Sequence, residues 1–185
     1  MKKLKSMCLA ILIIFPLWGL GGCNNDDDNN NNDTLPPATQ IGANTVGCLV
    51  NGEVFLPKSE GINPAVVVNY EFINGEFYFS LTLNDLRGTG VKTVSVRTSE
   101  IDLETGGVYI LDKDNTIFES FIGGGGVYGV DASNYFYTNS IKTGELTITR
   151  LDLSNSIISG TFWFDAINEE SEIVEIRDGR FDYVY

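Results

Sequence analysis

The chain has no histidine. That single absence removes Ser-His-Asp and Cys-His catalysis, imidazole acid–base chemistry and histidine-ligated zinc. Cysteine is nearly absent too, with three in 185 residues: Cys8, Cys23 and Cys48. Basic residues are scarce, 12 against 25 acidic ones, for a net charge of -13. A surface of that sign repels phosphate backbones, so nucleic acid is not an expected partner. Beyond the first twenty or so residues no long apolar run occurs, and no segment there sustains a 3.6-residue apolar period.

The one long apolar run stands at the start. Lys2, Lys3 and Lys5 precede a stretch from Met7 to Leu20 broken only by Pro16, and Gly21-Gly22-Cys23 follows. A basic head, a short apolar middle and small residues before a cysteine have the order of a lipoprotein leader, too short to span a bilayer comfortably. The expectation is a signal peptide over residues 1–22, cleaved before Cys23, with lipid on that thiol as the membrane anchor. Loss of the leader takes three lysines with it, leaving nine basic residues against 25 acidic, a net -16. It also takes Cys8, and acylation occupies Cys23. Cys48 then has no disulfide partner and is expected in the core.

From Asn24 to Asp33 every residue is Asn or Asp, and Pro36-Pro37 follows. Such composition cannot bury apolar area, so residues 23–44 are expected to be the lipidated cysteine and a disordered tether. About twenty flexible residues reach roughly 25 Å. Asp26-Asp27-Asp28 lies just past the cysteine, where an acidic cluster in some Gram-negative bacteria directs lipoproteins through the outer membrane to the cell surface. The expected location is therefore the outer membrane, at the cell surface, with the periplasmic face as the alternative.

Residues 45–185 are expected to be one all-β domain, an antiparallel sandwich or barrel of about ten strands. Asn51-Gly52 and Ile73-Asn74-Gly75 separate strand-like runs as hairpin turns do. Phe77, Phe79, Leu81 and Leu83 alternate with polar residues, as do Val94 and Val96. Residues 99–105 read as a loop or single helical turn. Asp112-Lys113-Asp114-Asn115 reads as a turn; it lacks the glycine and glutamate of an EF-hand calcium loop. Gly123–Gly126 reads as a mobile loop or bulged bend at the edge of a binding face. Leu146 and Ile148 point inward, followed after an irregularity by Leu151 or Leu153. A turn is expected at Asp178-Gly179.

Val50-Asn51-Gly52, Gly107-Val108-Tyr109-Ile110-Leu111, Gly144-Glu145-Leu146-Thr147-Ile148-Thr149, Ile158-Ser159-Gly160-Thr161-Phe162-Trp163-Phe164 and Asp178-Gly179-Arg180-Phe181-Asp182-Tyr183-Val184-Tyr185 occur in that order. Together they resemble an uncharacterised family of Bacteroidota lipoproteins, with a Val-Asn-Gly hairpin near the domain's start and Ile-Ser-Gly-Thr-Phe and Asp-Gly-Arg-Phe strands at its end. The resemblance implies an exported all-β domain and lends no catalytic residue, cofactor or metal.

With histidine and thiol chemistry excluded, a carboxylate pair is the remaining catalytic option, and no motif selects one. The expected function is a non-enzymatic, surface-displayed binding or accessory module for a glycan or an envelope protein. The alternatives are a structural envelope protein and a carboxylate-dependent glycan hydrolase. The candidate binding face comprises Tyr128, Tyr135, Tyr137 and Trp163, since aromatic rings with polar handles suit either kind of partner. Trp163 lies between Phe162 and Phe164, so alternation places it on the opposite face from both.

Overall fold

The structure is a computed structural model and describes residues 33–87, 90–114, 121–131 and 133–185. The expected leader, Cys23 and the Asn/Asp run as far as residue 32 lie outside the described residues. Residues 33–185 form one compact unit. No helix occurs among the described residues; eleven strands do. They are β1 (Thr45–Val50), β2 (Glu53–Phe55), β3 (Val66–Ile73), β4 (Glu76–Asp85), β5 (Lys92–Ser99), β6 (Val108–Asp114), β7 (Gly123–Gly129), β8 (Tyr135–Tyr137), β9 (Gly144–Asp152), β10 (Ile157–Ile167) and β11 (Ile173–Val184).

All eleven belong to one sheet, ordered β2-β1-β11-β10-β9-β6-β7-β5-β4-β3, with β8 beside β7 and β10. β11 and β4 are six steps apart in that order, which in a flat sheet would put them about 29 Å apart. Yet the rings of Phe181 on β11 and Phe79 on β4 lie 5.8 Å apart. The sheet is therefore rolled around one interior rather than split into the two sheets of a sandwich. Lys58, just past β2, bridges the seam: its N–H donates to Asn84 O at 2.9 Å and its carbonyl accepts from Leu86 N at 2.9 Å.

Local rules place the strands. Asn51 and Gly52 both have positive φ (50° and 83°), as do Asn74 and Gly75 (54° and 97°), so both hairpins turn on two-residue loops; Ile73, expected in the second turn, instead ends β3 paired with Glu76. On β4, Phe79, Leu81 and Leu83 face the interior, and Val94 and Val96 meet them from β5. Residues 148–150 bulge against β10, which turns the half-buried Leu151 toward the core and leaves Leu153 exposed.

Four more expectations are corrected among the strands. The sheet is mixed rather than wholly antiparallel, because β6 runs parallel to β7. Their overlap is only Leu111–Asp114 against Gly124–Gly126, so the eight residues between the two strands are enough to return the chain. Asp112 to Asp114 end β6 instead of forming a turn, and Asn115 lies outside the described residues. Gly123–Gly126 is neither mobile loop nor bend: it opens β7, an interior strand paired with β5, β6 and β8. A Cβ on Gly124 would lie 2.6 Å from the Ile110 carbonyl oxygen, and one on Gly126 would lie 2.8 Å from the Phe164 ring. Only glycine lets those neighbours come so close.

The fourth correction concerns Asp178-Gly179. It is a bulge inside one long strand, β11, with Asp178 at φ 51°. Ile176 and Gly179 then both face inward while Arg177 and Asp178 both lie opposite Trp163. Beyond the bulge, Gly160 pairs with Phe181 and Phe162 with Gly179. Each ring fills the space its glycine partner leaves, with ring carbons 2.7 Å from a Cβ built on Gly160 and 2.6 Å from one on Gly179. This reciprocal fit accounts physically for a Gly-x-Phe in each of the last two strands.

The tether was expected to run to residue 44, but residues 33–44 are held against the roll as a strap. Asp182, 1% exposed, accepts hydrogen bonds from Thr39 Oγ1 (2.7 Å) and from the backbone N–H groups of Ile41 (2.9 Å), Gly42 (2.8 Å) and Ala43 (3.1 Å). Ser159 Oγ completes the set at 2.7 Å.

Candidate functional site

The outward positions of β9, β10 and β11 form an open groove of about 640 Å³. Its centre is Trp163, 38% exposed. Alternation along β10 turns Phe162 and Phe164 into the core and Trp163 out, as expected. Glu145 lies directly opposite Trp163 on β9, and Thr161 pairs with Thr147 on β9 and Arg180 on β11. The strap walls one side of the groove at Ala38.

The ring is held in place. The Arg177 guanidinium lies 5.5 Å from its centroid, within cation–π range. That guanidinium donates to the carbonyls of Phe164 (3.1 Å) and Ile176 (2.9 Å) and pairs with Asp165 at 2.5 Å. Arg177 is consumed by these contacts, whereas Thr147, Thr161 and Glu145 have no side-chain hydrogen-bond partner among the described residues. The bulge explains why Arg177 reaches Trp163 at all.

The other predicted aromatics separate. Tyr135 and Tyr137 do face outward from β8, with rings stacked at 6.2 Å and 23°. They line a second hollow of about 570 Å³ with Asn134, Asn168 and the carboxylates of Glu169, Glu170 and Glu172. Burial, and then the charges of Asp114, Tyr135 and Glu169, raise the Tyr137 hydroxyl above its usual range. Tyr137 pairs with Ile167, four residues along β10 from Trp163 and so about 13 Å away. The two hollows share a face and remain distinct.

Tyr128 does not belong to that face. It is buried on β7, packs against Phe136 with ring centroids 6.0 Å apart, and has its hydroxyl pK raised mainly by burial. Its edge reaches a cleft of about 350 Å³ at the end of the roll, lined also by Phe55, Lys58 and Arg87. The charges there are matched, Lys58 with Asp33 at 3.7 Å and Arg87 with Asp85 at 2.9 Å. Cys48 is a core residue, fully buried, its thiol pushed up to about 12 by burial. Among the described residues no cluster of carboxylates and thiols is arranged to hold a metal ion.

Residues 80–184 match DUF6252, a domain of unknown function. The chain belongs to the DUF6252 family. The DUF6252 match begins within β4 and runs through β11, so it includes the Tyr135–Tyr137 hollow, the strands that form the Trp163 groove and the reciprocal Gly–Phe strands. The Val50-Asn51-Gly52 hairpin and the strap lie before it. No curated protein and no solved structure matches the chain.

Sequence reasoning missed Arg177, Glu145 and Thr161 as neighbours of Trp163. Alternation alone would have put Glu145, Thr147, Thr161 and Trp163 on one face. The position of Arg177 follows only from the bulge.

Proposed function

We propose that this is a lipoprotein of the Bacteroidota type, anchored through lipid on Cys23 at the outer face of the outer membrane, and that it acts as a non-enzymatic binding module. Its ligand docks on the outer face of β9–β11 around Trp163. Support for the anchor comes from the order of basic head, apolar run, small residues and cysteine, with Asp26-Asp27-Asp28 just beyond. One observation carries the binding role: a half-exposed indole, immobilised by Arg177, in an open groove where the side chains of Glu145, Thr147 and Thr161 have no hydrogen-bond partner among the described residues. Fixing such an anchor in advance lowers the entropy lost on binding.

The test uses the chain from residue 23 onward with Cys23→Ser, immobilised and exposed to solubilised envelope material. Wild type should retain a component that Trp163→Ala retains at least tenfold less. Equal retention by both would place the ligand elsewhere and overturn the assignment of this face.

A further inference from the structure

We infer that the Trp163 groove takes an uncharged, hydroxyl-rich saccharide chain, one ring resting on the indole. This rests on the reading of the β9–β11 face as the binding surface and adds the chemical class of its ligand.

Charge is the first argument. Glu145 and Asp178 stand against Arg177 and Arg180, two of each sign around the groove. Arg177 is already paired with Asp165, and the Arg180 Nε donates to the Asp178 carbonyl at 3.1 Å. Both arginines are thus engaged, Arg177 also with Glu175 at 3.7 Å, so no free cation is left in the wall to hold an acidic polymer, and the chain as a whole repels polyanions. The neighbouring Tyr135–Tyr137 hollow, by contrast, carries three carboxylates and no basic residue in its wall.

The second argument is the pattern of contacts on offer. Trp163 presents an apolar plane; Glu145, Thr147 and Thr161 present oxygens on the adjoining outward positions. Those three have no side-chain partner among the described residues, so a ligand need displace only water. A sugar ring has an apolar C–H face and a rim of hydroxyls that both donate and accept. The hydroxyls of Thr147 and Thr161 can do either, and the Glu145 carboxylate accepts. A flat apolar peptide surface would leave all three oxygens without hydrogen bonds, a cost a saccharide avoids.

Size is the third. About 640 Å³ lies within the range of small-ligand sites, and the groove is open across three strands, as a chain passing over the surface requires.

Trp18 precedes Cys23, so in the chain from residue 23 onward Trp163 is the single tryptophan and its emission reports on this groove alone. That chain, carrying Cys23→Ser, retains the whole compact unit. It is titrated with three soluble neutral polysaccharides (a mixed-linkage β-glucan, a galactomannan and an α-glucan). Polygalacturonate and chitosan fragments serve as charged controls, and affinity-gel retardation as the second readout.

The expected result is an emission shift and retardation with at least one neutral chain, unchanged between 50 mM and 500 mM salt. Trp163→Ala should weaken retardation more than tenfold. Thr161→Val, a surface change of nearly equal shape, should weaken it about threefold to tenfold, which guards against a misfolded Trp163 variant. Failure of all three neutral chains overturns the inference, as does binding only to a charged control. If a protein or charged ligand is bound in a Trp163-dependent way, the saccharide class falls and the binding face stands. If every ligand found binds Trp163→Ala as well as wild type, both fall.

Discussion

Asp182→Asn should unfasten the strap while leaving the roll intact. The side chain keeps its shape but exchanges one acceptor oxygen for an NH₂ group. Oδ2 accepts from Thr39, Ile41 and Ala43, and Oδ1 from Gly42 and Ser159. Placing the new amide nitrogen at Oδ1 is the cheaper choice, because the Ser159 hydroxyl can turn to accept. The Gly42 N–H is then stranded against another donor, and the remaining bonds lose their charge. A bond to a charged acceptor contributes about 1.5–3 kcal/mol and a stranded buried donor costs about 1–3 kcal/mol. The strap should therefore loosen by about 2–4 kcal/mol, a rise of roughly 30- to 700-fold in its opening constant.

Amide hydrogen exchange at Ile41, Gly42 and Ala43 reads that change directly, with β4 and β10 amides as an internal control. The pH dependence has a definite sign. Burial by itself would raise the Asp182 carboxyl, but the hydrogen bonds from Thr39, Ser159, Ile41 and Ala43 outweigh it and hold the group well below the usual carboxylate range. A folded pKa below the unfolded value of about 3.9 means stability complete above that value and lost as pH falls toward the folded one. The excess protection of wild type over Asp182→Asn should thus be constant from about pH 5 to 8 and shrink below about pH 4. Unchanged protection of the three amides in Asp182→Asn at neutral pH would refute this account of the strap.

Three other outcomes follow from single residues. Gly124→Ala should destabilise the domain by about 1–3 kcal/mol in urea unfolding, because its Cβ would press on the Ile110 carbonyl, whereas Gly90→Ala, whose Cβ would meet nothing closer than 3.7 Å, should stay within about 0.5 kcal/mol. Cys48, with its thiol raised by burial to about 12, should resist iodoacetamide at pH 8 in the native state and react fully in denaturant. Cys23→Ser should leave the domain's circular dichroism unchanged but release it from the membrane fraction; normal retention would remove the basis for the proposed anchor.

How far the fold could be read from the chain depended on how local each signal was. The alternation in β4 and β5 and the two Asn-Gly hairpins are set by neighbouring residues and were legible at once. Gly123–Gly126 was not, because the atoms that demand glycine there, the Ile110 carbonyl and the Phe164 ring, come from β6 and β10. Asp178-Gly179 has the composition of a turn, and only its pairing with β1 and β10 makes it a bulge. The strap was hidden for the same reason: residues 33–44 have tether-like composition, and their partner Asp182 is some 140 positions away. Of the aromatic face, Trp163 could be placed by counting along one strand. Tyr128 is buried, because its position on β7 turns its ring inward against Phe136.

The most direct test of the binding face is where a ligand perturbs the molecule. In two-dimensional NMR the chain from residue 23 onward has one indole N–H, that of Trp163. On titration with a retained envelope component, the largest shifts should fall on that indole and on Glu145, Thr147, Thr161 and Arg180. A perturbation centred on Tyr135, Tyr137 and the Asn168–Glu172 turn, with the Trp163 indole unmoved, would contradict the account.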